Sequence, residues 1–114
     1  MNLLKETIED IEESGHTPEQ IIFIGSEKTG HSCSWEEFKK LADQDYDNDY
    51  GSAKVAQDLV IVFSDGAKMW RGEYDGSEWW LYSTPFKMPE ETTPIQRLFA
   101  HIGFEYLYEI HDQK

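Results

Sequence analysis

Asp43, Asp45, Asp47 and Asp49 alternate with Gln44, Tyr46 and Asn48, and Tyr50 follows, so that four carboxylates and two phenols fall within eight residues. Alternate carboxylates are how a calcium loop wraps its ion, but that loop also requires a glycine at its sixth position and a bidentate glutamate at its twelfth. Counted from Asp43, those positions hold Asn48 and Lys54, and a calcium site is not expected. If the stretch is extended, its carboxylates share one edge at intervals of about 6.7 Å, from roughly 3.3 Å per residue. That spacing is close to successive phosphates along a nucleic-acid strand, so such a row can compete for a groove built to hold one. The plain alternative is a solvated acidic loop.

His16, His31 and Cys33, joined by His101 or His111, offer the nitrogen and sulfur ligands of a structural zinc, a weaker alternative because no Cys-x-x-Cys or His-x-x-x-His clip is present. Cys33 also has a packing role, since an apolar residue just before an N-cap staples to the fourth helical position, here Phe38. As a nucleophile Cys33 is opposed by Glu36 and Glu37 in the helical turn beside it. The chain has no Gly-x-Ser-x-Gly, glycine-rich phosphate loop or His-Glu-x-x-His. No catalytic residues and no cofactor are expected.

These residues sit in a chain of 114 residues carrying 23 Asp and Glu against 10 Lys and Arg, a formal charge of -13. Affinity for nucleic acid comes mainly from Lys and Arg displacing counterions, so direct nucleic-acid binding is excluded as an expectation. Aromatics at 14% supply enough apolar surface for a folded core, and the length suits one domain spanning 1–114. The longest apolar run, Leu59 to Phe63, is too short for a membrane span. With one cysteine and no leader-like segment, the expected compartment is the cytoplasm.

The elements that must position the acids follow from periodicity and caps. Leu4, Ile8 and Ile11 form the stripe of a helix over 3–14, closed by Gly15, with Glu6, Glu9, Asp10, Glu12 and Glu13 expected around its outside. Thr17-Pro18-Glu19-Gln20 offers a capping box before the β-branched run Ile21-Ile22-Phe23-Ile24, a short strand over about 20–24. Ser34 and Glu37 box a second helix over 35–43, and Ser52 is placed to cap a brief helix with Val55 and Ala56. Thr93, Pro94 and Gln96 predict a third helix with Ile95, Leu98, Phe99 and Ile102 as its stripe. Residues 104–110 fit a strand or a helix.

Asp65-Gly66 and Asp75-Gly76 divide 58–82 into a three-stranded meander. With two-residue loops at both turns, Leu59, Ile61, Phe63, Trp70, Trp79 and Leu81 share the predicted core face, and Gly72 leaves room for the Trp79 indole. Val60, Val62, Met69, Trp80 and Tyr82 then lie opposite, with Arg71 between Val60 and Trp80 in cation–π position. Glu73 faces Glu78, a like-charge pair that a register slip, a bulge or a cation must answer. The Arg71, Trp80, Glu73 and Glu78 face is the alternative partner-binding surface. The fold expectation is α+β: an antiparallel meander with an added edge strand and two to three helices on one face.

Gly25-Ser26-Glu27, Ser32-Cys33-Ser34-Trp35, Asp58 to Gly66 and Arg71 to Trp80 resemble short hypothetical proteins of bacteriophages and prophages over roughly residues 3 to 90. The resemblance implies context rather than mechanism, since small acidic phage proteins include inhibitors of host defence such as anti-CRISPR proteins. The function expected is a phage-encoded acidic inhibitor acting in the host bacterial cytoplasm. Its acids would meet the basic groove of a nucleic-acid enzyme such as a CRISPR effector nuclease, with Asp43, Asp45, Asp47, Asp49, Tyr46 and Tyr50 as contacts. The alternatives are a phage interaction module that forms a homodimer, and a metal-binding protein or small enzyme.

Overall fold

The computed structural model describes residues 1–49, 51–83 and 88–112. Four antiparallel strands in the order β1-β2-β3-β4 form one sheet: β1 (Ile21–Gly25), β2 (Val60–Phe63), β3 (Lys68–Tyr74) and β4 (Ser77–Tyr82). Helices α1 (Leu3–Glu13) and α2 (Trp35–Leu41) pack against it, and a short α3 (Leu107–His111) lies in the C-terminal segment. The α+β architecture expected from the sequence is present, with β1 at an edge as anticipated.

Local signals set both main helices. Asn2 caps α1 by accepting from the Lys5 N–H at 3.0 Å, and Ser14 ends it with Gly15 following at φ +83°. Ser34 and Glu37 close a reciprocal box at 3.1 and 3.0 Å, so α2 starts where its cap requires. The Thr17 box yields a 3₁₀ turn, Pro18–Gln20, that leads into β1.

The two hairpins differ by one residue, and that difference sets which face is interior. Asp75 and Gly76 both have positive φ, +51° and +90°, the two-residue type I′ turn, and the pairs Trp70↔Leu81, Gly72↔Trp79 and Glu73↔Glu78 follow as expected. The first loop holds three residues, Ser64-Asp65-Gly66: the Gly66 N–H donates to Phe63 O, Gly66 turns left-handed at +89°, and the Phe63 N–H reaches Ala67 O. Ile61 therefore pairs with Met69 rather than Trp70, and β2 is turned over relative to β3.

The predicted core face is corrected accordingly. Ile61 and Phe63 are fully buried as expected, but their inner-face neighbours are Met69, Arg71 and Trp80, with Ile24, Ile11, Leu3, Phe38 and Ala42 completing the cluster. Trp79 and Leu81 are 39% and 38% exposed on the outer face, where a Cβ on Gly72 would meet Leu81 at 2.8 Å and Trp79 at 3.2 Å.

Two short helices fail to form. Residues 51–59 are irregular, because the Lys54 and Val55 N–H groups are used by the Glu78 carboxylate. Residues 93–102 are irregular too: Ile95, Leu98, Phe99 and Ile102 are 57–87% exposed, and a helix this short needs a packed face to offset nucleation. The helical option within 104–110 is taken instead by α3.

The turns give a graded test. Gly66→Ala, with open space around its new methyl group, should cost about 1 kcal/mol in chemical denaturation. Gly76→Ala adds a Cβ 2.5 Å from the Gly51 carbonyl oxygen and should cost about 2 to 4 kcal/mol. Equal losses for the two would show that the turn geometry is not as described.

Candidate functional site

The stripe that α1 turns inward is Leu3, Glu6, Thr7, Ile11 and Ser14, all buried, so three of its five side chains are polar. Its reason is Arg71, which β3 presents beneath the helix with its side chain fully shielded. The Nη1 atom donates to Glu6 Oε2 at 3.4 Å, while Nη2 donates to Glu78 Oε1 at 3.0 Å and to the Tyr46 hydroxyl at 3.1 Å. The Tyr46 hydroxyl donates its own hydrogen bond to Glu6 Oε1. The guanidinium carbon lies 4.9 Å from the Trp80 ring centre, the cation–π contact expected from the sequence. Trp80 in turn donates its indole N–H to Thr7 Oγ1 at 2.9 Å.

This arrangement answers the Glu73–Glu78 problem. Glu78 folds inward at 1% exposure onto Arg71 and the Lys54 and Val55 N–H groups, while Glu73 stays exposed and accepts from the Gly76 N–H at 3.1 Å. A cation provides the answer. Burial alone pushes the Glu78 carboxyl up, but its two backbone donors and Arg71 outweigh it and hold it below the usual range. Burial and the bond to Glu6 push the Tyr46 phenol up to about 12. The Asp10 carboxyl rises to about 6, first through burial and then through Glu6, Glu13 and Glu9.

The acidic stretch lies across this network. Asp43, Asp45, Asp47 and Asp49 are all exposed, whereas Tyr46 and Asn48 turn partly inward. Both ends are tied: Asn2 donates to Asp43 at 3.1 Å and pairs with Asp45, and the Tyr46 N–H reaches Met1 O at 2.8 Å. Further on, the Glu78 N–H reaches Asn48 O at 2.8 Å and Ser77 donates to Asp49 at 2.6 Å. Residues 43–49 thus bridge the start of α1 and the start of β4. Tyr50 lies outside the described residues.

The alternative surface needs correcting. Arg71, Trp80 and Glu78 are 6%, 4% and 1% exposed and engaged by α1, Tyr46 and residues 54–55, so of those four residues a partner can reach Glu73 alone. The one-residue change in the first hairpin is the physical cause.

The proposed zinc ligands have separate surroundings. His16 is buried, stacked on Phe63 at 4.1 Å and bonded to Ser14 at 3.0 Å and Asp65 at 2.7 Å. His31 is exposed beside Thr29, and half-buried Cys33 packs on the core. Among the described residues no group of three or more His, Cys, Asp or Glu is arranged to hold a metal. Burial and Glu37 push the Cys33 thiol up, away from a reactive thiolate. Ser14, His16 and Asp65 match the order of a nucleophile relay, yet Ser14 and His16 are each 4% exposed and Ser14 also bonds Ile11 O at 2.7 Å. The trio ties the end of α1 to the first hairpin.

Sequence reasoning missed Glu6 as an interior residue and Ser14 as a structural one. Their spacing was available: Glu6, Thr7, Asp10 and Ser14 fall on the same face as Leu3 and Ile11. Comparison with protein-family models, curated proteins and solved structures gives no match to this chain. Among the described residues no helix is long and apolar enough to cross a membrane.

Removing one partner of the network should be costly. Arg71→Met should lose about 3 to 5 kcal/mol by leaving Glu6 and Glu78 unpaired, and Tyr46→Phe about 1 to 2 kcal/mol, both read from denaturant melts. Asp10 carries the opposite sign to the carboxylates held below their usual range. Its folded-state pKa of about 6 lies above the unfolded value of 3.8, so its contribution weakens as pH rises between the two. The stability advantage of Asp10→Asn over the parent should therefore grow from about pH 4 to about pH 6 and then level off. A pH-independent difference would remove Asp10 from this role.

Proposed function

We propose that this chain is a non-catalytic binding protein that lays residues 43–49 into a basic groove of a host nucleic-acid-binding protein. The observation that carries this reading is four exposed aspartates on a segment that bends at Gln44 and Asn48 and is tied at both ends to regular elements. A held row loses little conformational freedom on binding, and a charge of -13 steers it toward positive surfaces. The phage origin, the host cytoplasm and a CRISPR effector nuclease as the kind of partner rest on the sequence resemblance alone. Tyr46 contributes as a strut beneath the row, since its hydroxyl is engaged by Glu6 and Arg71.

A homodimer is the second reading, favoured by apolar exposure at Trp79 (39%) and Leu81 (38%) on the outer sheet face and at Ile22 (66%) on the edge strand β1. That face replaces the Val60, Met69 and Trp80 surface expected from the sequence, because Met69 and Trp80 are buried.

Affinity capture from a bacterial lysate tests the lead reading. A nucleic-acid enzyme should be retained at low salt and released as salt rises. The triple variant Asp45→Asn, Asp47→Asn, Asp49→Asn should fold like the parent and bind that partner more weakly, most of all at low ionic strength. Undiminished binding by the triple variant would dismiss the row as the contact. A dimer on a sizing column that is insensitive to salt, with no enzyme captured, would favour the second reading.

A further inference from the structure

Along the acidic segment the surface forms a half-open pocket of about 460 Å³ between the start of α1, residues 44–47 and residues 54–56. Its volume falls in the range of binding pockets, roughly 300–1,000 Å³. Leu3, Val55 and Ala56 give it an apolar wall, Tyr46 contributes to its lining, and Asp45 and Asp47 supply carboxylates. The Tyr46 hydroxyl is already committed to Glu6 and Arg71, which leaves the ring as the part that a guest can meet. Lys54 also lines the cavity, but its ammonium donates to Ser52 O at 2.6 Å.

We propose that this cavity receives an arginine side chain of the protein partner. The inference rests on the basic-partner reading above and gives it a specific contact. Apolar walls suit the methylene stem of a long cationic residue, whose head stays with polar groups. Two carboxylates and an aromatic ring suit a planar guanidinium, which takes paired carboxylate bonds and stacks on rings in ways that an ammonium does not. The surrounding charge agrees: Asp45, Asp47, Glu6 and Glu78 stand against Arg71 and Lys54, so a cation is attracted and an anion repelled.

The probe is N-acetyl-arginine methylamide, titrated into the full chain by amide NMR, with the citrulline analogue as its uncharged match. Saturable shifts at 45–47 and 54–56 are expected, with affinity for the arginine probe about tenfold above citrulline, as one or two charge-assisted bonds would give. Asp45→Asn with Asp47→Asn should remove that preference, while Asp49→Asn, outside the cavity lining, should keep it. Equal affinity for the two probes, or shifts confined to other residues, would overturn the proposal. The outcome is separable from the broader reading: a captured basic partner without arginine selectivity refutes only the pocket. Arginine selectivity without any basic partner refutes only the proposed function.

Discussion

A guanidinium shielded from water must find its hydrogen-bond acceptors inside the fold, and Arg71 finds them on three separate segments. Glu6 comes from α1, Glu78 from the neighbouring strand and Tyr46 from the acidic segment. Burying a charge without partners is prohibitive, so these segments meet in one arrangement or the site is not formed. Arg71 Nε has no hydrogen-bond partner among the described residues, so the network leaves one donor unsatisfied.

The network also explains features that look anomalous one at a time. A helix turns Glu6 and Thr7 toward the core, a strand pair sets two glutamates opposite each other, and a stretch after Ser52 does not become helical. Each follows from supplying acceptors to Arg71 and to the Trp80 indole stacked on it, or donors to Glu78. In this fold the buried ion network contributes specificity of arrangement, since an ion pair of this kind is a weak source of net stability.

The same interior organises the surface. With Tyr46 partly buried and its neighbouring aspartates exposed, residues 43–49 present charge from a backbone tied at both ends, and the half-open pocket that Asp45 and Asp47 help to line is walled by residues that lead to the network. The acids of α1 divide between the two environments: Glu6 is interior, while Glu9, Glu12 and Glu13 face water. The outer sheet face keeps Trp79 and Leu81 partly exposed over the space left by Gly72.

The sequence by itself determined what depends on near neighbours. The Ser34–Glu37 box, Gly15 after the first helix, the Asp75-Gly76 turn and the run Ile21 to Ile24 each carry their own signal within a few residues, so the α+β class was legible, as was the exposure of the four aspartates, though not the bends at Gln44 and Asn48 that break their extended edge. Tertiary structure decided which face of the meander is interior, because one extra loop residue at Ser64-Asp65-Gly66 reverses every side chain of β2 against β3, and Asp-Gly is compatible with either loop length. It also decided that the capped stripe at 93–102 stays irregular, since a cap lowers the cost of starting a helix but cannot supply the surface that holds it. Glu6, Tyr46, Arg71 and Glu78 became one site for the same reason: they are up to 72 positions apart, from Glu6 to Glu78, and only the folded chain brings a buried cation to its partners.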